Sequence, residues 1–199
     1  DFLTPSQIAI LGAREITRAL VDVGDGPDAD RHGWTWEEAY RFLRIVLSLK
    51  VHLKVDDLET RQEINFALAA FSNQSGPSWE ATMFFRETLD ILDAVAPERH
   101  PIEEVCRRLN LWLETGLFQK DRYQNMMTDL RSFGKELTQE VLSEPLWPDG
   151  DQPEHALTIF LGALDQPPLI GSFWREWYQG FLDGKPLDWE LQRRVALIP

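Results

Sequence analysis

The residues best suited by type to chemistry fall in two acidic segments that also carry glycine and proline. In the first, Gly24-Asp25-Gly26-Pro27-Asp28-Ala29-Asp30-Arg31-His32-Gly33, the residues Asp28, Asp30 and Gly33 take positions one, three and six of a calcium-loop spacing. Such a loop wraps carboxylate oxygens around the cation and closes with a bidentate carboxylate at position twelve. Here position five is His32 and position twelve is Ala39, with Glu38 one residue early, so an Asp/Gly/Pro turn competes with the metal reading. The same stretch matches the letters Gly-x-Gly-x-x-Ala of a dinucleotide loop. It follows a helical pattern rather than a strand, however, and Asp25 and Asp28 would repel phosphate.

In the second segment Asp149, Asp151, Glu154 and His155 combine carboxylates with an imidazole, the donor mixture of hydrolytic metal sites. The competing reading is local: Asp149-Gly150 is turn chemistry, Asp151 caps the helix opened by Pro153, and Glu154 meets the positive end of its dipole. Asp28, Asp30, Asp149, Asp151 and His155 are therefore the candidate metal ligands, and they require the two segments to converge on one ion. No Glu-x-x-His pair or His-Glu-x-x-His motif accompanies them, and no cofactor is implied. Cys106 lies on the apolar stripe of its helix, as a small buried hydrophobe does, and Gly-x-Ser-x-Gly is missing. Asn73-Gln74-Ser75 reads as a turn.

The C-terminal aromatic residues are the most distinctive group. Phe173, Trp174, Trp177, Tyr178 and Phe181 surround much of one short helix, and Trp189 follows after Gly184 and Pro186. They predict either a packed cap over a bundle or an exposed patch in which Trp174, Trp177, Tyr178 and Trp189 bind a partner. The segment Trp174-Arg175-Glu176-Trp177-Tyr178, continuing through Asp183-Gly184-Lys185-Pro186-Leu187-Asp188-Trp189-Glu190-Leu191 to Val195-Ala196-Leu197-Ile198-Pro199, resembles a Trp-rich stretch of uncharacterised bacterial proteins. The resemblance implies a bacterial origin and a chain that continues past Pro199, and it carries over no activity.

The elements that must position these residues read as helices throughout. The first runs from Thr4 or Ser6 to Val23 with Ile8, Leu11, Ile16 and Leu20 inward; the second runs from Thr35 to Lys54 with Trp36, Tyr40, Leu43 and Leu47. Thr60 and Glu63 have capping-box spacing ahead of Ile64, Leu68 and Phe71. Further helices follow Ser78 and Pro101. From Phe118 to Leu142 the apolar period predicts one long helix that Gly134 kinks. Three more helices are expected from Pro153, from Ser172 to Leu182 closed by Gly184, and from Asp188 to Leu197 with Asp188 as N-cap. The fold class is all-α: an irregular bundle of about eight helices in a single domain over residues 1–199, which can be part of a longer chain.

Composition bounds the function. A hydrophobic fraction of 43%, with eight Trp and eleven Phe in 199 residues, provides a sizeable core. A single cysteine excludes an intrachain disulfide framework and fits a reducing compartment, which points to the cytoplasm. No apolar run is long enough to span a bilayer. A net charge of −13, from 33 acidic and 20 basic residues, disfavours nucleic acid and anionic lipid and points to protein partners or a neighbouring domain. The leading expectation is a non-enzymatic protein-interaction module. The alternatives are a metal-dependent or small-molecule enzyme using the acidic loops, and a bundle that holds an apolar ligand.

Overall fold

The computed structural model describes residues 4–23, 36–55, 59, 60, 62, 64, 120–134, 137–150, 152–165 and 172–198. Within them lie six α-helices: α1 (Pro5–Val23), α2 (Trp36–Val55), α3 (Lys120–Phe133), α4 (Glu154–Ala163), α5 (Ser172–Leu182) and α6 (Trp189–Ala196), with a 3₁₀ helix at Gln139–Ser143. No strand occurs among the described residues. No helix among them is long and apolar enough to cross a membrane.

Helix α1 is the centre of the assembly, packing against α2, α3, α4 and the 3₁₀ helix, while α2 also carries α6. The expected apolar stripe is present, with Leu11, Ile16 and Leu20 at 1–2% exposure. The helix is nevertheless buried on every side from Ala9 to Arg18, polar residues included. Surrounded helices are ordinarily apolar all round, so the four polar residues in this stretch, Arg14, Glu15, Thr17 and Arg18, have to be satisfied within the protein. Helix α2 is similar: Phe42, Ile45, Val46, Leu47 and Leu49 are buried, and so are Ser48, Lys50 and His52.

The long helix expected from Phe118 to Leu142 is two elements. Helix α3 ends at Phe133 because Gly134 turns left-handed, with φ of 50°, and the chain resumes as the 3₁₀ helix. Leu137 and Val141, which continue the apolar period of that stretch, are buried, and so is Leu142. Helix α4 begins after Pro153, which holds the N-cap position without a side-chain cap. At the C-terminal end the local signals are obeyed closely. Asp188 Oδ1 accepts from the Leu191 amide at 3.1 Å as the N-cap of α6, and Gly184 turns the chain out of α5 with φ of 64°. The guanidinium of Arg44 donates to the carbonyls of Ala196 and Ile198, fastening the far end of α6 to α2.

Candidate functional site

The polar residues of α1 converge on one carboxylate. Arg14 and Arg18 are four residues apart, so they project from the same face one turn apart. Asp129, on α3, lies between them with no exposed surface. Its Oδ2 accepts from Arg14 Nε at 3.0 Å and from Arg18 Nη2 at 2.8 Å; its Oδ1 accepts from Arg14 Nη2 at 3.2 Å and from Arg18 Nη2 at 2.8 Å. Arg18 Nη1 also donates to Glu15 Oε2 at 3.1 Å.

The remaining guanidinium donors hold backbone. Arg14 Nη1 donates to the carbonyls of Val141 and Glu144 at 2.7 and 2.9 Å, and Nη2 to that of Pro145 at 2.7 Å. Arg18 Nε donates to the carbonyl of Leu146 at 2.7 Å. These two side chains thereby satisfy four carbonyls of a connection that has little secondary structure of its own. A guanidinium has five N–H groups. Arg14 uses all of its five, and Arg18 engages all three of its nitrogens. Burial lowers the Arg14 pKa, and the hydrogen bond and charge of Asp129 oppose that shift.

Lys50 brings a third cation to the same interior from α2. Its Nζ lies 3.5 Å from Thr17 Oγ1 and 3.5 Å from the centroid of the Phe181 ring. Thr17 Oγ1 donates its own proton to the Ala13 carbonyl at 2.6 Å, which leaves its lone pairs to accept from the amine. Complete burial, reinforced by the charges of Arg14 and Arg18 and opposed by Asp129, pushes the Lys50 pKa well below the ordinary lysine value. An amine driven towards its neutral form can sit against an aromatic face without the full desolvation cost of an ammonium.

Beside this node the surface opens into a small cleft lined by Arg18, Asn125, Thr128, Leu146, Trp147, Pro148 and Asp149, with a cavity volume of about 40 Å³. Leu146 and Trp147 are held in place by the bond from Arg18 to the Leu146 carbonyl and by that from the Leu146 amide to the Phe181 carbonyl at 3.0 Å.

The aromatic C-terminal residues form a packed cap. Trp177 and Tyr178 have no exposed surface and Trp174 is 6% exposed. Trp174 meets Tyr40 edge-on at 5.8 Å and Trp177 at 5.6 Å; Trp177 meets Phe181 at 5.5 Å, and Tyr178 meets Phe160 at 4.7 Å. Their polar atoms are satisfied inside. Trp177 Nε1 donates to Gln192 Oε1 at 3.0 Å, and the Tyr178 hydroxyl donates to the Thr17 carbonyl at 3.1 Å. An exposed partner-binding patch made of Trp174, Trp177 and Tyr178 is therefore not what the structure presents, because their rings are spent on the core. Trp189 is half-buried at the edge of the cap, against Phe181.

Of the candidate metal ligands, Asp28, Asp30 and Asp151 lie outside the described residues, as does Cys106. Asp149 and His155 are exposed. Among the described residues no three His, Cys, Asp or Glu side chains gather closely enough to hold an ion. The buried Arg14–Arg18–Asp129 node escaped the sequence reading, since its partners are more than a hundred residues apart. One signal pointed to it: Arg14 and Arg18 take two successive positions of the helical spacing that joins Leu11 to Val21. Comparison with known proteins adds no relationship, for no family model, no curated protein and no solved structure matches this chain.

Proposed function

We propose that this chain is a non-enzymatic interaction module that takes a basic protein segment as its partner. The observation that carries this reading is the acidic excess of the surface. Among the described residues ten carboxylates are exposed, Glu140, Glu144, Asp149, Glu154, Asp183 and Asp188 among them, against four Lys or Arg side chains, Arg131, Arg175, Lys185 and Arg194. Such a surface speeds the encounter with a cationic partner and repels polyanions. Further support comes from the interior: a surface backed by buried ion pairs and interlocked rings is organised before a partner arrives, which lowers the ordering cost of binding.

The wider reading belongs to the same proposal. It is that of an irregular single-domain bundle of about eight helices, in a bacterial, cytoplasmic protein whose partner is another chain or a neighbouring domain. The test is a titration of the chain with a short lysine-glycine peptide at low and high salt, beside an unrelated protein of matching net charge. Saturable, salt-sensitive binding that exceeds the control is expected. Binding no stronger than the control overturns the proposal.

A further inference from the structure

The cleft beside Arg18 differs from the node behind it in one respect: its polar groups are uncommitted. Behind it every donor of Arg14 is used, and every nitrogen of Arg18 is engaged. Lining the cleft are Asn125 and Thr128 from α3, and Asp149 from the turn after Trp147. Among the described residues the side chains of these three make no hydrogen bond or ion pair. An amide, a hydroxyl and a carboxylate thus border one small opening, with the buried Arg18 behind them. Its walls are Leu146, Trp147 and Pro148.

The set of groups selects a ligand chemistry. Arg18 has its charge balanced by Asp129 and Glu15, so it offers little net attraction for an anion. Asp149 is exposed and anionic, which opposes a carboxylate or phosphate and favours an ammonium. Asn125 both donates and accepts, as a peptide unit requires. A volume of about 40 Å³ admits a group the size of one peptide unit, and its open mouth lets a chain enter and leave.

We infer that this cleft is the recognition site for one lysine-bearing stretch of an extended partner peptide, the peptide backbone pairing with Asn125 and Thr128 and the lysine ammonium with Asp149. The inference rests on the interaction-module reading and names where that module engages its partner. The fixed Leu146 carbonyl and the packed Trp147 ring make the site ready-formed, so binding needs no rearrangement of the node.

The probe is the lysine-glycine peptide, titrated into the intact chain and into the Asp149→Asn, Asn125→Ala and Thr128→Val variants. All three positions are exposed or half-exposed, so folding survives, and a thermal melt verifies it. Glu176→Gln, an exposed acid on α5, is the control. Loss of the charged pair in Asp149→Asn is expected to weaken binding on the order of tenfold. The other two variants should weaken it several-fold, and amide chemical-shift changes should centre on residues 125, 128 and 146–149. Equal binding by the Asp149→Asn and Glu176→Gln variants, or shifts scattered over the whole acidic surface, overturns the cleft while leaving the interaction reading in place. Absence of binding above the charge-matched control overturns both.

Discussion

The residue that organises the interior is Asp129, because one carboxylate holds two guanidiniums that in turn hold a connection. Its removal leaves Arg14 and Arg18 buried without a counter-ion, and breaking a buried pair in this way costs about 3–5 kcal/mol. Asp129→Ala is therefore expected to lose stability of that order in urea unfolding, far more than Glu140→Ala, whose ion pair with Lys54 is largely exposed. Lys50 has the opposite sign. Its pKa is lowered on folding, so the unfolded chain binds the proton more readily, and the native state gains stability as pH rises from the lowered value to the ordinary one. Below that window the cost of the buried amine is fully present. Lys50→Met, which keeps the shape and discards the proton, is expected to raise the thermal midpoint at neutral pH. The difference from the unaltered chain should shrink as pH climbs towards the ordinary lysine value, as parallel melts across alkaline pH will show.

At the scale of elements, glycines and caps decide where helices stop. Gly184 closes α5 with a left-handed residue and lies directly against Pro145, where an added Cβ would come within 2.7 Å of the ring Cδ. Gly134 is also left-handed but has nothing within 4 Å of that position. The pair separates two costs: Gly134→Ala pays only for the backbone, about 1–2 kcal/mol, while Gly184→Ala adds overpacking of about 1–3 kcal/mol. Chemical denaturation of the two variants is expected to rank them in that order. These elements were largely legible in the sequence. The bounds of α1, α5 and α6 follow from Pro5, Gly184 and Asp188, whose effects are confined to one turn of chain. The break after Phe133 was harder to read, because the apolar period runs on through Leu137 and Val141 while a single glycine redirects the backbone between them.

At the scale of the whole molecule the sequence identifies helices far better than it identifies their neighbours. An i,i+4 arginine pair on a helix reads as a solvated face unless its surroundings are known, and those surroundings come from residues 129 and 141–146. The aromatic cap was legible as a group, but whether its rings face inward depended on Gln192 and the Thr17 carbonyl, which accept their polar hydrogens. The acidic balance was legible in full; its concentration outside the core was not, since that required knowing which cations are buried. The saturated guanidinium of Arg14 has one more consequence, in time rather than in energy. Helical proteins fold fast when their contacts are local, yet the carbonyls that Arg14 satisfies lie 127, 130 and 131 residues along the chain. The connection after α3 cannot be dry until the first helix has found it, so its completion waits on a long-range encounter.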